Sequence, residues 1–155
     1  MSTTKIKKYL DENNIKYVCI KHSEAYTSEE IAECSHIPGD VMAKTVIFEI
    51  DGKHAMAVVP STYHVDFTIL EKELGAKRIS LATEESFKNK FPDCEPGAMT
   101  PFGNLYNMNV YVSKSLLNDE MIFFNAGTHR DLIGVKFLDF WNMVKPELLE
   151  FSIHN

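Results

Sequence analysis

The chain has 155 residues, of which 45% are hydrophobic and 25% charged, and its formal net charge is −6. That length fits one domain with a sizeable core, and the composition excludes a disordered tail. The acidic balance excludes an extended basic face for gripping nucleic acid, although a few cations on one rim suffice to hold the end of a strand.

Residues 4–13 set Ile6, Tyr9 and Leu10 at i, i+3 and i+4 among Lys, Asp and Glu, which predicts a helix with one buried face. The opening stretch MSTTKIKKYLDENNIKYVCIKH holds basic residues but no apolar leader segment, and nothing later is long and apolar enough to span a bilayer. A cytoplasmic protein with no membrane partner is the expectation. KYVCIKH predicts a short strand; in TSEEIAE, Thr27 stands three residues before Glu30, the capping-box spacing of a short helix.

KTVIFEIDGKHAMAVVP places two apolar, β-branched runs around Asp51–Gly52, the pattern of a β-hairpin. Asp66 is a cap for a helix carrying Ile69, Leu70 and Leu74, which Gly75 stops. RISLATEESFKNKFP predicts a strand ending at Leu81, then a helix begun by Thr83, with Glu84 and Glu85 in its first turn, closed before Pro92. After the stretch PGAMTPFG at 96–103, NVYVS, EMIFFNAG and LIGVKF predict three strands. DFWNMV predicts a last helix capped by Asp139, with Phe140 and Trp141 turned into the core.

Several of these strands follow one another without an intervening helix. That order predicts a single α+β domain over residues 1–155, with a mixed or antiparallel, barrel-like sheet and peripheral helices. There is no internal repeat or linker. Cys19, Cys34 and Cys94 form no CxxC pair and are expected as reduced thiols. The six histidines lack metal-ligand spacing, and no G-x-S-x-G, Walker or H-E-x-x-H motif occurs, so neither metal nor cofactor is expected.

PGAMTPFG concentrates two of the chain's six prolines and two of its seven glycines into eight residues. On composition alone such a loop is first a plain surface turn; the sharper reading is a stiff frame that brings backbone N–H groups close to a ligand. Pre-positioned N–H donors are what acyl transfer needs for a developing oxyanion. NAGTH at 125–129 follows an apolar strand and either ends it in a turn or delivers Thr128 and His129 to a pocket rim. Lys44, at the start of TVIF, is either a solvated edge residue or a cation for such a site.

KHSEAYTSEEIA, AKTVIFEIDGK, RISLATEE, PGAMTPFG and FFNAGTH stand in order across residues 15–146. In that arrangement the chain resembles the YbaK/prolyl-tRNA synthetase-associated domain family, trans-acting relatives of the editing domain inserted in bacterial prolyl-tRNA synthetases. The resemblance implies the fold of that editing domain and the hydrolysis of a mischarged aminoacyl-tRNA to free amino acid and tRNA. It places Lys44, Gly97 and His129 in catalysis, and His22, Thr45, Ala98, Met99, Pro101, Phe102, Gly127 and Thr128 at the substrate. On this pattern the Gly97 and Ala98 amides meet the ester, Lys44 meets the phosphate or ribose of the terminal adenosine, and His129 shapes the amino-acid pocket. No protein nucleophile is required, because the ester is already activated.

The implied substrate is a small amino acid, Ala, Ser, Cys or Thr, on the tRNA for proline. The implied partners are the 3′ acceptor end of that tRNA and a prolyl-tRNA synthetase, with no DNA. Thr45 follows the lysine as in the branch that acts on cysteinyl-tRNA, and Thr100 stands where relatives commonly carry a first proline of Pro-Pro. The competing expectations are a non-catalytic module that binds an aminoacyl-tRNA or a synthetase, and a small-molecule hydrolase on the same fold.

Overall fold

A computed structural model describes residues 2–21, 37–95, 97–117 and 120–155. The expected helix at Thr27–Glu30, His22 and Cys34 lie outside the described residues. The elements in chain order are α1 (Ser2–Glu12), β1 (Tyr17–Lys21), β2 (Ala43–Ile50), β3 (Lys53–Pro60), β4 (Tyr63–Val65), α2 (Phe67–Leu74) and β5 (Ile79–Leu81). They continue with α3 (Glu84–Phe87), β6 (Asn109–Ser113), β7 (Met121–Asn125), β8 (Asp131–Lys136), α4 (Phe137–Val144), β9 (Glu147–Leu149) and β10 (Ser152–His154).

The strands form a five-stranded sheet in the order β5-β2-β3-β6-β9, a three-stranded sheet β1-β8-β7 and a two-stranded ribbon β10-β4. The larger sheet is mixed: β3 pairs antiparallel with β2 and parallel with β6, and β6 pairs parallel with β9. None of these described sheets closes on itself, so the barrel expected from the sequence is loose. Its two walls meet at a parallel bridge between Met42 and Phe123. That bridge positions the site described below.

Local sequence explains the hairpin β2–β3. Asp51 and Gly52 both take positive φ, 47° and 88°, as a two-residue turn that matches strand twist requires. Asp51 then accepts from the Arg78 amide at 2.8 Å, which fastens β5 to the turn. β3 is buried on both faces. Met56 and Val58 join the core shared with α1, α4 and the three-stranded sheet, while Ala55, Ala57 and Val59 pack with Leu70 of α2 and Phe151. The apolar run AMAVV is therefore a central strand rather than an alternating one.

Two helix starts form as their sequences direct. The Asp66 carboxylate accepts from the Ile69 amide at 3.0 Å, and Gly75 closes α2 at φ 61°. Thr83 Oγ1 accepts from the Ser86 amide at 3.3 Å to begin α3. The last helix departs from expectation: α4 begins at Phe137, its cap position is Lys136, and Asp139 lies inside its first turn rather than capping it. The chain passes from β8 into α4 without a polar turn, because Phe137 and Phe140 are pulled into the core and the Phe137 amide donates to the Glu120 carbonyl at 2.9 Å. The short strands β4, β9 and β10 were not anticipated either.

His54, on β3, receives a hydrogen bond on Nδ1 from the Lys90 ammonium at 2.9 Å, while its Nε2 faces Ser86 Oγ at 3.2 Å and Glu49 at 3.9 Å. Burial, and then the Lys90 charge, hold its pKa below the ordinary 6.5, against the weaker opposing pull of Glu49. The folded state thus resists protonation more than the unfolded chain does. Stability is full above pH 6.5 and is expected to fall as the pH drops below it. Urea midpoints measured between pH 7.5 and 5 should decline, with a shallower decline in His54→Gln; equal slopes in the two proteins would refute the assignment.

Candidate active site

The loop of residues 97–103 runs from surface to interior: Gly97 is exposed, and Ala98 through Gly103 are buried. The Ala98 amide donates to the Glu95 carbonyl at 3.0 Å and closes a tight turn in which Gly97 has φ 80°. That φ favours glycine on steric grounds. At the other end, Phe102 is fully buried, its ring 5.4 Å from that of Phe140, 5.5 Å from Phe124 and 5.8 Å from Tyr9. The loop is pinned by a turn at one end and an aromatic anchor at the other. Phe102, expected at the substrate, holds the loop from beneath.

The turn after β7 is stitched to this loop. The Glu95 amide donates to the Gly127 carbonyl at 2.8 Å, the Gly127 amide donates to the Ala98 carbonyl at 3.0 Å, and the His129 amide donates to Glu95 Oε1 at 2.8 Å. A methyl group added at Gly97 would sit 3.5 Å from His129 Cε1, so the imidazole lies directly against the bare glycine. His129 is 5% exposed.

Thr128 is occupied in building this turn. Its hydroxyl donates to Asp131 Oδ2 at 2.6 Å and accepts from the Asp131 amide at 3.1 Å and the Arg130 amide at 3.2 Å. Asp131 also pairs with Lys21 at 3.7 Å. Thr128→Val should therefore free the turn, with a destabilisation of about 1–2 kcal/mol in urea unfolding and a loss of activity larger than that shift explains. Unchanged unfolding would contradict this reading.

The start of β2 approaches β7 from the other sheet. Met42 and Phe123 share one small apolar cluster with Leu132, and β2 begins one residue after this bridge. Lys44 is half-buried, and its Nζ lies 3.5 Å from the Ser61 carbonyl. Thr45, next on β2, points to the opposite face, which holds Ala43 and Ile47 in the main core.

The candidate site is thus the end of β7, where the histidine turn is locked to a rigid loop and where the start of β2 is bridged to the same strand. Among the described residues, no backbone carbonyl accepts from the amides of Gly97, Met99 or Thr100, whereas the Ala98 amide is committed to its turn. Cys94 is close to the loop in sequence, but burial pushes its thiol pKa up and keeps it protonated. Among the described residues no cluster of three or more His, Cys, Asp or Glu could hold a metal ion.

Residues 22–142 match the family described as "Aminoacyl-tRNA editing domain". The chain belongs to this family. The editing domain is 26% identical over 143 residues to the prolyl-tRNA editing protein ProX of Acetoanaerobium sticklandii, covering 88% of this chain and 86% of that protein. It is also 26% identical over 133 residues to a proline–tRNA ligase of Staphylococcus epidermidis, covering 79% of this chain but only 23% of the ligase. A crystal structure described as a candidate trans-editing enzyme for prolyl-tRNA synthetase superposes with a TM-score of 0.84 at 17% identity, covering 98% of this chain and 97% of the other. That likeness extends the α+β fold over essentially the whole editing domain. Its enzymatic class is aminoacyl-tRNA deacylase.

Reading the sequence singled out the loop, the Gly-Thr-His turn and Lys44, but it missed three residues. Glu95, a lone carboxylate before a proline, carries no signal by itself. Asn125 becomes notable only through the burial of its carboxamide. Asp131 was within reach, since Thr128-x-x-Asp131 has the spacing at which a hydroxyl and a carboxylate close a turn.

Proposed function

We propose that this domain acts in trans on tRNA charged with a small amino acid, Ala, Ser, Cys or Thr on the tRNA for proline, and that the whole chain works as one editing unit. The carrying observation is the hydrogen-bonded lock between the 95–98 turn and residues 127–129, which sets His129 against Gly97 and holds the loop amides still. A fixed row of N–H donors suits an ester oxygen that gains charge during attack by water.

On this reading the Gly97 and Met99 amides face the ester oxygen, in place of the Ala98 amide, which its own turn consumes. Lys44 grips the phosphate or ribose of the terminal adenosine at the 3′ acceptor end. His129 closes the amino-acid pocket over Gly97, and the buried Met99 and Pro101 limit its volume. Exclusion by volume suits small substrates, because affinity alone discriminates poorly against one methylene. With an activated ester, orientation and oxyanion stabilisation carry the reaction without a nucleophilic side chain.

The similarity to proline–tRNA ligases supports a tRNA partner shared with such a ligase. The test is deacylation of one tRNA for proline charged in turn with Ala, Ser, Cys, Thr and Pro. Loss of a small amino acid with prolyl-tRNA spared supports the reading. Binding of tRNA with no ester cleaved above the buffer rate would overturn it and leave a binding module.

A further inference from the structure

The hydrogen bonds that join the 95–98 turn to residues 127–129 are of two kinds. The Glu95 amide to the Gly127 carbonyl and the Gly127 amide to the Ala98 carbonyl run backbone to backbone, so they do not depend on which side chain position 95 carries. The bond from the His129 amide to Glu95 Oε1, at 2.8 Å, exists only because that position carries an acceptor of this length.

That bond fills a gap in the turn. Gly127 is tied to the loop, and the Arg130 and Asp131 amides are both held by Thr128 Oγ1, at 3.2 and 3.1 Å. The His129 amide stands between these two anchored stretches, on a residue only 5% exposed, where an unanswered donor is costly. The His129 ring packs on the bare Gly97, its Cε1 3.5 Å from where a methyl group there would sit. Whatever fixes the His129 backbone therefore fixes the contact between imidazole and loop. Glu95 is itself anchored for the task, since its amide and carbonyl are both bonded. The sequence Glu-Pro-Gly-Ala suits such a turn, with a positive-φ glycine in third place.

We infer that Glu95 is a positioning residue for deacylation: through the His129 amide, its carboxylate keeps the imidazole seated on Gly97 and the loop amides aligned for the ester. The inference rests on the site proposed above and adds the side chain that holds it in register. Glu95 acts by accepting a hydrogen bond rather than by its charge, so an uncharged acceptor of the same length serves in its place. Its loss costs rate rather than affinity, because aligned amides matter most to charge that develops in the transition state.

The test pairs turnover with amide exchange in Glu95→Ala and Glu95→Gln. The substrate is whichever of the seryl, alanyl, cysteinyl and threonyl esters of one tRNA for proline the wild type cleaves fastest. On it, Glu95→Ala should lower kcat about ten- to a hundredfold, with KM changed by less than about threefold. Glu95→Gln, which keeps the acceptor oxygen, should recover most of that loss. A merely structural carboxylate would lower Tm and leave kcat, measured well below the melt, at its wild-type value; that result overturns the inference. Glu95→Gln as slow as Glu95→Ala, or a loss carried by KM, would show the charge acting on the substrate and overturn it equally.

A second readout needs no substrate. By NMR, hydrogen exchange of the His129 amide in Glu95→Ala should quicken at least about tenfold relative to that of the Gly127 amide, whose backbone partner remains, and Glu95→Gln should stay near the wild type. Equal quickening of both amides, or none, overturns the inference and leaves the deacylase reading standing. If the wild type cleaves no ester, the deacylase reading falls and this inference with it.

Discussion

Replacing Lys44 with alanine is expected to lower kcat/KM about a hundredfold, or ~2.7 kcal/mol, on every aminoacyl ester alike. The uniformity follows from what the ammonium faces. On the proposed reading it holds the adenosine end shared by all substrates, so its loss cannot distinguish seryl from alanyl esters. The fold should survive, because Lys44 is only half-buried, at the start of β2. Lys44→Met keeps the aliphatic stem and should lose activity equally, while Lys44→Arg should retain part of it. Deacylation rates paired with thermal melts decide the matter. Wild-type activity in Lys44→Ala would remove the lysine from the site, and a collapse in Tm would make its role structural.

The largest effect on stability is expected at Phe102. Its ring is fully buried among Tyr9, Phe124 and Phe140, contributed by α1, β7 and α4, so truncation opens a cavity where three elements meet. Phe102→Ala should destabilise the protein by about 3–5 kcal/mol and lower Tm by ~6–20 °C. Activity measured well below the new Tm should also fall, since the loop amides lose the weight that keeps them aimed. Phe102→Leu, which fills most of the space, should recover most of the stability. A variant that melts early yet deacylates at the wild-type rate would show that the turn at Gly97 alone orients the loop.

Features decided by neighbours in the chain were legible beforehand. The β2–β3 hairpin was readable because Asp51–Gly52 is a two-residue turn, and the starts of α2 and α3 because Asp66 and Thr83 cap within three residues. Asp139 misled because capping preference is weak beside the burial of Phe137 and Phe140, which start the helix three residues earlier. The parallel pairings of β3, β6 and β9 join segments distant in sequence and leave no local trace. The same holds at the site. Lys44 and the Gly-Thr-His turn could be named as separate motifs, but only the Met42–Phe123 bridge shows that the start of β2 lies beside β7, the strand that leads into the turn.

The pairing of β1 carries a consequence for the protein's birth. Among the described residues, Tyr17 through Lys21 pair with Val135 back to Asp131, so this strand waits for a partner far downstream in the chain. The three-stranded wall that leads into the His129 turn cannot form until the chain has emerged as far as Lys136. Locking of the loop to that turn therefore depends on long-range pairing and comes late in folding, so the site is assembled in one step rather than built up piece by piece.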